Sequence, residues 1–119
     1  MASQGDVNKF LGNFKQIVTQ RGIWVVQREK NVNTQIELGF NNVDVQKEIL
    51  RLDCTHYVDG PKPDRDRQGD VWEFGKIIEH EEVYIKVKLT GGVHPVCISF
   101  HFAEEPIGYP FQVRKEVTK

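Results

Sequence analysis

Apolar residues recur at helical spacing near the start of the chain, where Val7, Phe10, Leu11, Phe14, Ile17 and Val18 share one face. Asp6 stands ready as a cap and Gly22 is placed to end the helix. The spacing predicts an amphipathic helix over 7–18. The β-rich run 23–26, which contains Trp24, predicts a short first strand, and the polar stretch 27–33 leads away from it. Residues 34–38, ending at Gly39, fit helix or strand equally, whereas Val45, Ile49 and Leu52 mark one face of a further helix. From Gly60 to Gly69 the chain reads Gly-Pro-Lys-Pro-Asp-Arg-Asp-Arg-Gln-Gly. Two prolines and alternating charge predict an exposed loop over 60–70, since neither a packed helix nor a central strand tolerates them. Three β runs follow, at 71–78, 82–89 and 96–102, separated by turns at 79–81 and at Gly91-Gly92. They predict an antiparallel meander. An extended tail, 103–119, carries Pro106 and Pro110, with Tyr109 and Phe111 to pack back on the domain and residues 115–119 frayed. Helices first and strands after give an α+β fold, helices packed on a small antiparallel sheet, in a single domain spanning 1–119.

The second strand of the meander alternates strictly, with Val83, Ile85, Val87 and Leu89 on one face and Tyr84, Lys86 and Lys88 on the other. In the third, Val96, Ile98, Phe100 and Phe102 alternate with Cys97, Ser99 and His101. Pairing Leu89 with Val96 sets Lys88 beside Cys97, Lys86 beside Ser99 and Tyr84 beside His101. Cleaving RNA through its own 2′-hydroxyl needs a base for that proton, a cation for the phosphate and an acid for the leaving oxygen. Tyr84, Lys86 and His101 are the candidates, His101 foremost because histidine alone titrates near neutrality unaided. His56 and Tyr57 are second candidates. A solvated sheet face without chemistry is the competing reading.

Charge works against a nucleic-acid partner, since 16 basic residues against 17 acidic ones leave a net charge of −1. Binding to RNA therefore requires a local patch. Cys54 and Cys97 have the spacing of neither a disulfide framework nor a zinc knuckle and read as free thiols of a reducing compartment. With no apolar run of membrane-spanning length and no secretory leader, the expected location is the cytoplasm. No metal is expected: Cys97 and His101, four apart on an extended strand, lie on the order of 13 Å from each other, too far to share one ion. Gly91-Gly92 lacks the context of a phosphate-binding loop, and Glu104 and Glu105 are expected to be solvated.

Taken in order, Glu37-Leu38-Gly39-Phe40, Ile49-Leu50-Arg51-Leu52, Asp70-Val71-Trp72, Val83-Tyr84-Ile85-Lys86 and Ser99-Phe100-His101 resemble the MqsR family of bacterial toxins in type II toxin–antitoxin systems. The resemblance runs from the first helix to about His101 and is strongest over the meander. It implies a RelE-like fold and metal-independent endonucleolytic cleavage of single-stranded mRNA that halts growth until a cognate antitoxin protein binds, with no small-molecule cofactor. By position, Tyr84 matches a family tyrosine near the catalytic centre and His101 falls where members carry a catalytic lysine. Glu73 follows Trp72 where a family glutamine follows its tryptophan, and Asp59 falls near a family lysine. Lys88, Arg65, Arg67, Tyr57 and Glu73 become the candidate RNA contacts, the two arginines replacing phosphate ligands lost elsewhere. The altered positions equally permit a catalytically silent RelE-like domain that serves as a protein-binding module.

Overall fold

Ser3 and Asp6 close a reciprocal capping box on α1 (Gln4–Arg21) in the computed structural model, which describes residues 1–112. The predicted helix is therefore longer at both ends, with Ser3 as its cap and Asp6 inside its first turn. Its buried stripe is Val7, Leu11, Phe14 and Val18, and the Gly22 N–H ends it on the Val18 carbonyl at 2.7 Å. Strand β1 is only Trp24–Val25. The ambiguous segment proves helical, as the C-terminal half of α2 (Glu29–Leu38), which Gly39 closes in the left-handed conformation at φ 70°. Helix α3 (Asn42–Leu50) buries Val45 and Ile49 behind a second capping box, from Asn41 and Asp44.

After a 3-10 turn at Cys54–His56, the strands are β2 (Tyr57–Pro63), β3 (Asp70–Ile78), β4 (Glu81–Thr90) and β5 (His94–Phe102), in the sheet order β1-β5-β4-β3-β2. The fold is α+β, but several sequence expectations need correction. The sheet is mixed, because β1 pairs parallel to β5 while the other pairs are antiparallel. The loop expected over 60–70 begins later: Gly60, Pro61, Lys62 and Pro63 lie in β2, an edge strand, where a missing N–H costs no ladder bond. The core forms between the helices and one face of the sheet, where Phe14, Val18, Ile49, Phe74, Ile85 and Phe100 are wholly buried. No helix among the described residues is long and apolar enough to cross a membrane.

The meander holds, with one irregularity. Tyr84 pairs with His101 and Lys86 with Ser99, as the alternation predicts, but a β-bulge then shifts the register so that Val87 pairs with Cys97 and Leu89 with Pro95. Beyond it the faces invert: Cys97 enters the core, and Val96 and Ile98 are half-exposed. The Asn31 amide of α2 bridges the bulge, donating to the Ile98 and Val26 carbonyls and accepting from the Phe100 N–H, each at 2.9 Å. Thr34 accepts the next free N–H, from Phe102, at 3.2 Å. Helix α2 thus satisfies the edge of β5 where β1 has ended. The tail folds back as expected: Phe111 stacks on Tyr57 at 5.4 Å, and Glu82 takes the Ile107 N–H and the Tyr109 hydroxyl at 3.0 and 2.9 Å. An alanine at Gly75 would place its Cβ 2.7 Å from that hydroxyl and 2.8 Å from the Ile107 side chain, so the tail side chains would have to shift to admit it. The expectation for 115–119 lies outside the described residues.

Candidate functional site

The sheet face away from the helices carries side chains in register across its three central strands. One row is Gly75, Tyr84 and His101; the next is Glu73, Lys86 and Ser99. Phe74, Ile85 and Phe100 point the opposite way into the core, so pleating alone delivers these groups to one surface. Tyr84 and His101 rings lie 5.4 Å apart, and the Lys86 ammonium sits 6.0 Å from the Tyr84 ring centroid. That distance is at the outer limit of a cation–π contact. His101 holds Nδ1 3.0 Å from the Phe102 carbonyl. Since a carbonyl can only accept, Nδ1 carries a proton and Nε2 is left to exchange one.

Tyr84 is not a free hydroxyl. Its O–H donates to Glu73 Oε1, while Glu73 Oε2 faces the Lys62 ammonium at 2.7 Å as an ion pair rather than an aligned hydrogen bond. Lys62 also lies 3.4 Å from Asp59. Burial first, then the hydrogen bond and charge of Glu73, hold Tyr84 above the ordinary tyrosine range, with Arg28 acting in the opposite direction. Near neutrality Tyr84 is therefore a proton donor in hydrogen bonds, not a base. The Glu73 carboxylate in turn raises Lys62, which stays an ammonium. The chain Lys62, Glu73, Tyr84 thus joins β2, β3 and β4.

Other candidates lie elsewhere. Lys88 is on this face but buried at 4 % exposure, with its ammonium 2.8 Å from Asp64, so while that pair holds it offers nothing to a phosphate. Tyr57 is a core residue with no exposure; its hydroxyl donates to the Gly60 carbonyl and accepts the Ala2 N–H. His56 caps the 3-10 turn, its Nδ1 accepting the Asp53 N–H at 2.9 Å, with Glu48, Lys76 and Lys15 as its further charged neighbours. It does not join the Tyr84 face. Arg65 and Arg67 are exposed in the segment 64–69, which closes over Lys88 and so borders the face. Neither is in an ion pair among the described residues; Asp64 is taken by Lys88, not by its arginine neighbours. Sequence reasoning missed Lys62 and Arg28, because only the edge strand and the approach to α2 bring them near Tyr84.

A hollow of about 420 Å³ opens beside this cluster, lined by Val58, Tyr84, His101 and the tail from Ala103 to Gly108. Glu104 and Glu105 are in its rim, Glu104 paired with Lys30, which leaves Glu105, among the described residues, as the unpaired carboxylate on this side of the face. A larger hollow of about 780 Å³ lies at the β2 edge, lined in part by Phe10, Trp72, Gly60 and Pro61, and holds none of the candidate catalytic groups. Among the described residues no three His, Cys, Asp or Glu side chains gather as a metal site; Cys97 faces the core, its thiol pushed up to about 12 by burial, while His101 faces outward. The chain matches no protein-family model, no curated protein and no solved structure.

Proposed function

We propose that this protein is the toxin of a toxin–antitoxin pair, a RelE-like endoribonuclease of the MqsR type that cleaves single-stranded mRNA without a metal and is silenced by a cognate antitoxin protein. The observation that carries the reading is the pairing of Tyr84 with His101 beside Lys86 on one sheet face. These side chains offer a hydroxyl donor, a cation and a proton carrier, three of the groups that transesterification of RNA requires. The RNA runs over Lys86 toward Arg65 and Arg67 rather than over Glu104 and Glu105, because its phosphates are repelled by the Glu105 carboxylate and drawn to the free cations. Nucleophilic attack comes from the RNA's own 2′-hydroxyl, so the protein supplies only proton transfer and charge stabilisation.

The test uses a short single-stranded RNA, the same strand with one 2′-deoxy nucleotide at the cut, and excess chelator. We expect cleavage that survives chelator, stops at the deoxy position and leaves a cyclic or 3′-phosphate on the upstream fragment, with His101→Ala slower by about 100-fold or more. A 5′-phosphate on the downstream fragment would mean direct attack by water and would remove His101 from this role. The self-satisfied contacts of Tyr84 with Glu73 and of Lys88 with Asp64 favour a second reading, a silent protein-binding domain. A wild-type chain that neither cuts RNA nor arrests growth when induced would select it.

A further inference from the structure

The reaction just proposed needs two proton transfers, and His101 can serve only one of them. The other group must be a base near neutrality, on the same face, separated from His101 by roughly the width of a phosphate. Tyr84 does not qualify, since it stays protonated, and Ser99 is buried at 2 % exposure. Glu73 does. It stands in the row beside Tyr84, two strands from His101, with Lys86 between them. At about 4.8 Å per strand and about 3.4 Å per residue, two strands across and two residues along put the two backbones roughly 12 Å apart, which leaves space for one phosphodiester above Lys86.

We infer that Glu73 is the general base of this site and that Lys62 guards it until RNA arrives. The inference rests on the ribonuclease reading. Around Glu73 stand Lys62 and Asp59 from β2, Tyr84 and Lys86 from β4 and His101 from β5, with Arg28 acting on Tyr84 from just ahead of α2. Lys62 is half-exposed on a flexible stem, whereas the Glu73 side chain is 13 % exposed, so the lysine is the partner free to swing. An incoming phosphate competes for that ammonium. Once Lys62 transfers to the phosphate, Glu73 Oε2 is released from its ion pair and can turn to the 2′-hydroxyl. Glu73 then takes the 2′-hydroxyl proton, the 2′-oxygen forms a bond to phosphorus, and the bond from phosphorus to the 5′-oxygen breaks. His101, as imidazolium, gives its Nε2 proton to that oxygen. The products are a 2′,3′-cyclic phosphate and a 5′-hydroxyl, and proton exchange with water resets both side chains.

The discriminating variant is Glu73→Gln, which keeps the shape and an acceptor for Tyr84 but cannot take a proton. Single-turnover cleavage across pH 4–8 is compared for wild type, Glu73→Gln and Glu73→Asp, with binding of the 2′-deoxy strand measured in parallel. We expect Glu73→Gln to cut at least about 100-fold more slowly and to lose the acidic limb of the profile, with deoxy-strand affinity within about threefold of wild type. Glu73→Asp keeps that limb at reduced rate, so the inference stays open to test should the glutamine variant fail to fold. A glutamine variant within about threefold of wild type, or an aspartate variant without the limb, would leave Glu73 a structural partner of Tyr84 while the ribonuclease reading stands. A wild type that cuts nothing sinks both.

Discussion

His56 couples a local cap to solution pH. Its Nδ1 accepts the Asp53 N–H, which only an unprotonated nitrogen can do, and burial, before any neighbouring charge, holds it below the ordinary histidine value of 6.5. Asp53 and Glu48 pull the other way, and Lys76 and Lys15 add to the depression. The unfolded chain therefore binds the proton more readily than the folded one. This contribution to stability is whole above the unfolded value and is lost as pH falls through it toward the folded value. We expect Tm to fall more steeply from pH 7 to pH 5 for wild type than for His56→Gln, whose amide oxygen can accept the same N–H at any pH. A Tm difference that does not change with pH would show that His56 is not the group titrating. At this scale the candidate site was partly legible. Tyr84, Lys86 and His101 follow from strict alternation, because pleating decides the face whatever the chemistry. Tyr57 and Lys88 misled, because a polar end says nothing about whether its partner waits inside the protein, as Gly60 and Asp64 do here.

Helix α2 shows why some elements leave no hydrophobic trace. Its buried positions are Asn31, Thr34 and Gln35, so a search for apolar periodicity sees a polar stretch where a helix docks by hydrogen bonding. Asn31 alone satisfies three backbone groups around the bulge, at Val26, Ile98 and Phe100. Replacing it by leucine of similar size would strand all of them at roughly 1–3 kcal/mol each. We expect Asn31→Leu to destabilise by about 3 kcal/mol or more in urea unfolding, and a loss below about 1 kcal/mol would mean another group takes over the β5 edge. The same amide explains the inverted faces of Val96 and Cys97, since a bulge is fixed by a partner distant in sequence and strict alternation cannot foresee it. Strand β2 escaped for a different reason. Proline argues against a central strand but is neutral at an edge, and the chain order of residues does not say which strand will be outermost. The long helices and the β3, β4 and β5 meander were legible because each repeats its own period over several residues.

At the scale of the whole molecule, a net charge of −1 limits how a polyanion can be held. Lys86, Arg28, Arg65 and Arg67 are in no ion pair among the described residues, whereas Lys30, Lys62 and Lys88 are each engaged by a carboxylate. If those four free cations make the phosphate contacts, counterion release from a single strand gives a slope of log affinity against log salt of roughly −3, at about −0.7 per phosphate neutralised. Transfer of Lys62 to a bound RNA, as proposed, would steepen this to roughly −3.5. Changing Arg65 and Arg67 together to serine should make the slope shallower by about 1.4 and weaken binding to all sequences alike, because phosphate contacts position a strand without reading it. The measurement is a titration of the 2′-deoxy strand from low to physiological salt, so that cleavage does not intervene. An unchanged slope in the double variant would take the 64–69 segment off the path of the RNA. A wild-type slope steeper than about −5 would require more cations than this face leaves free, and would place the bound strand on a different surface.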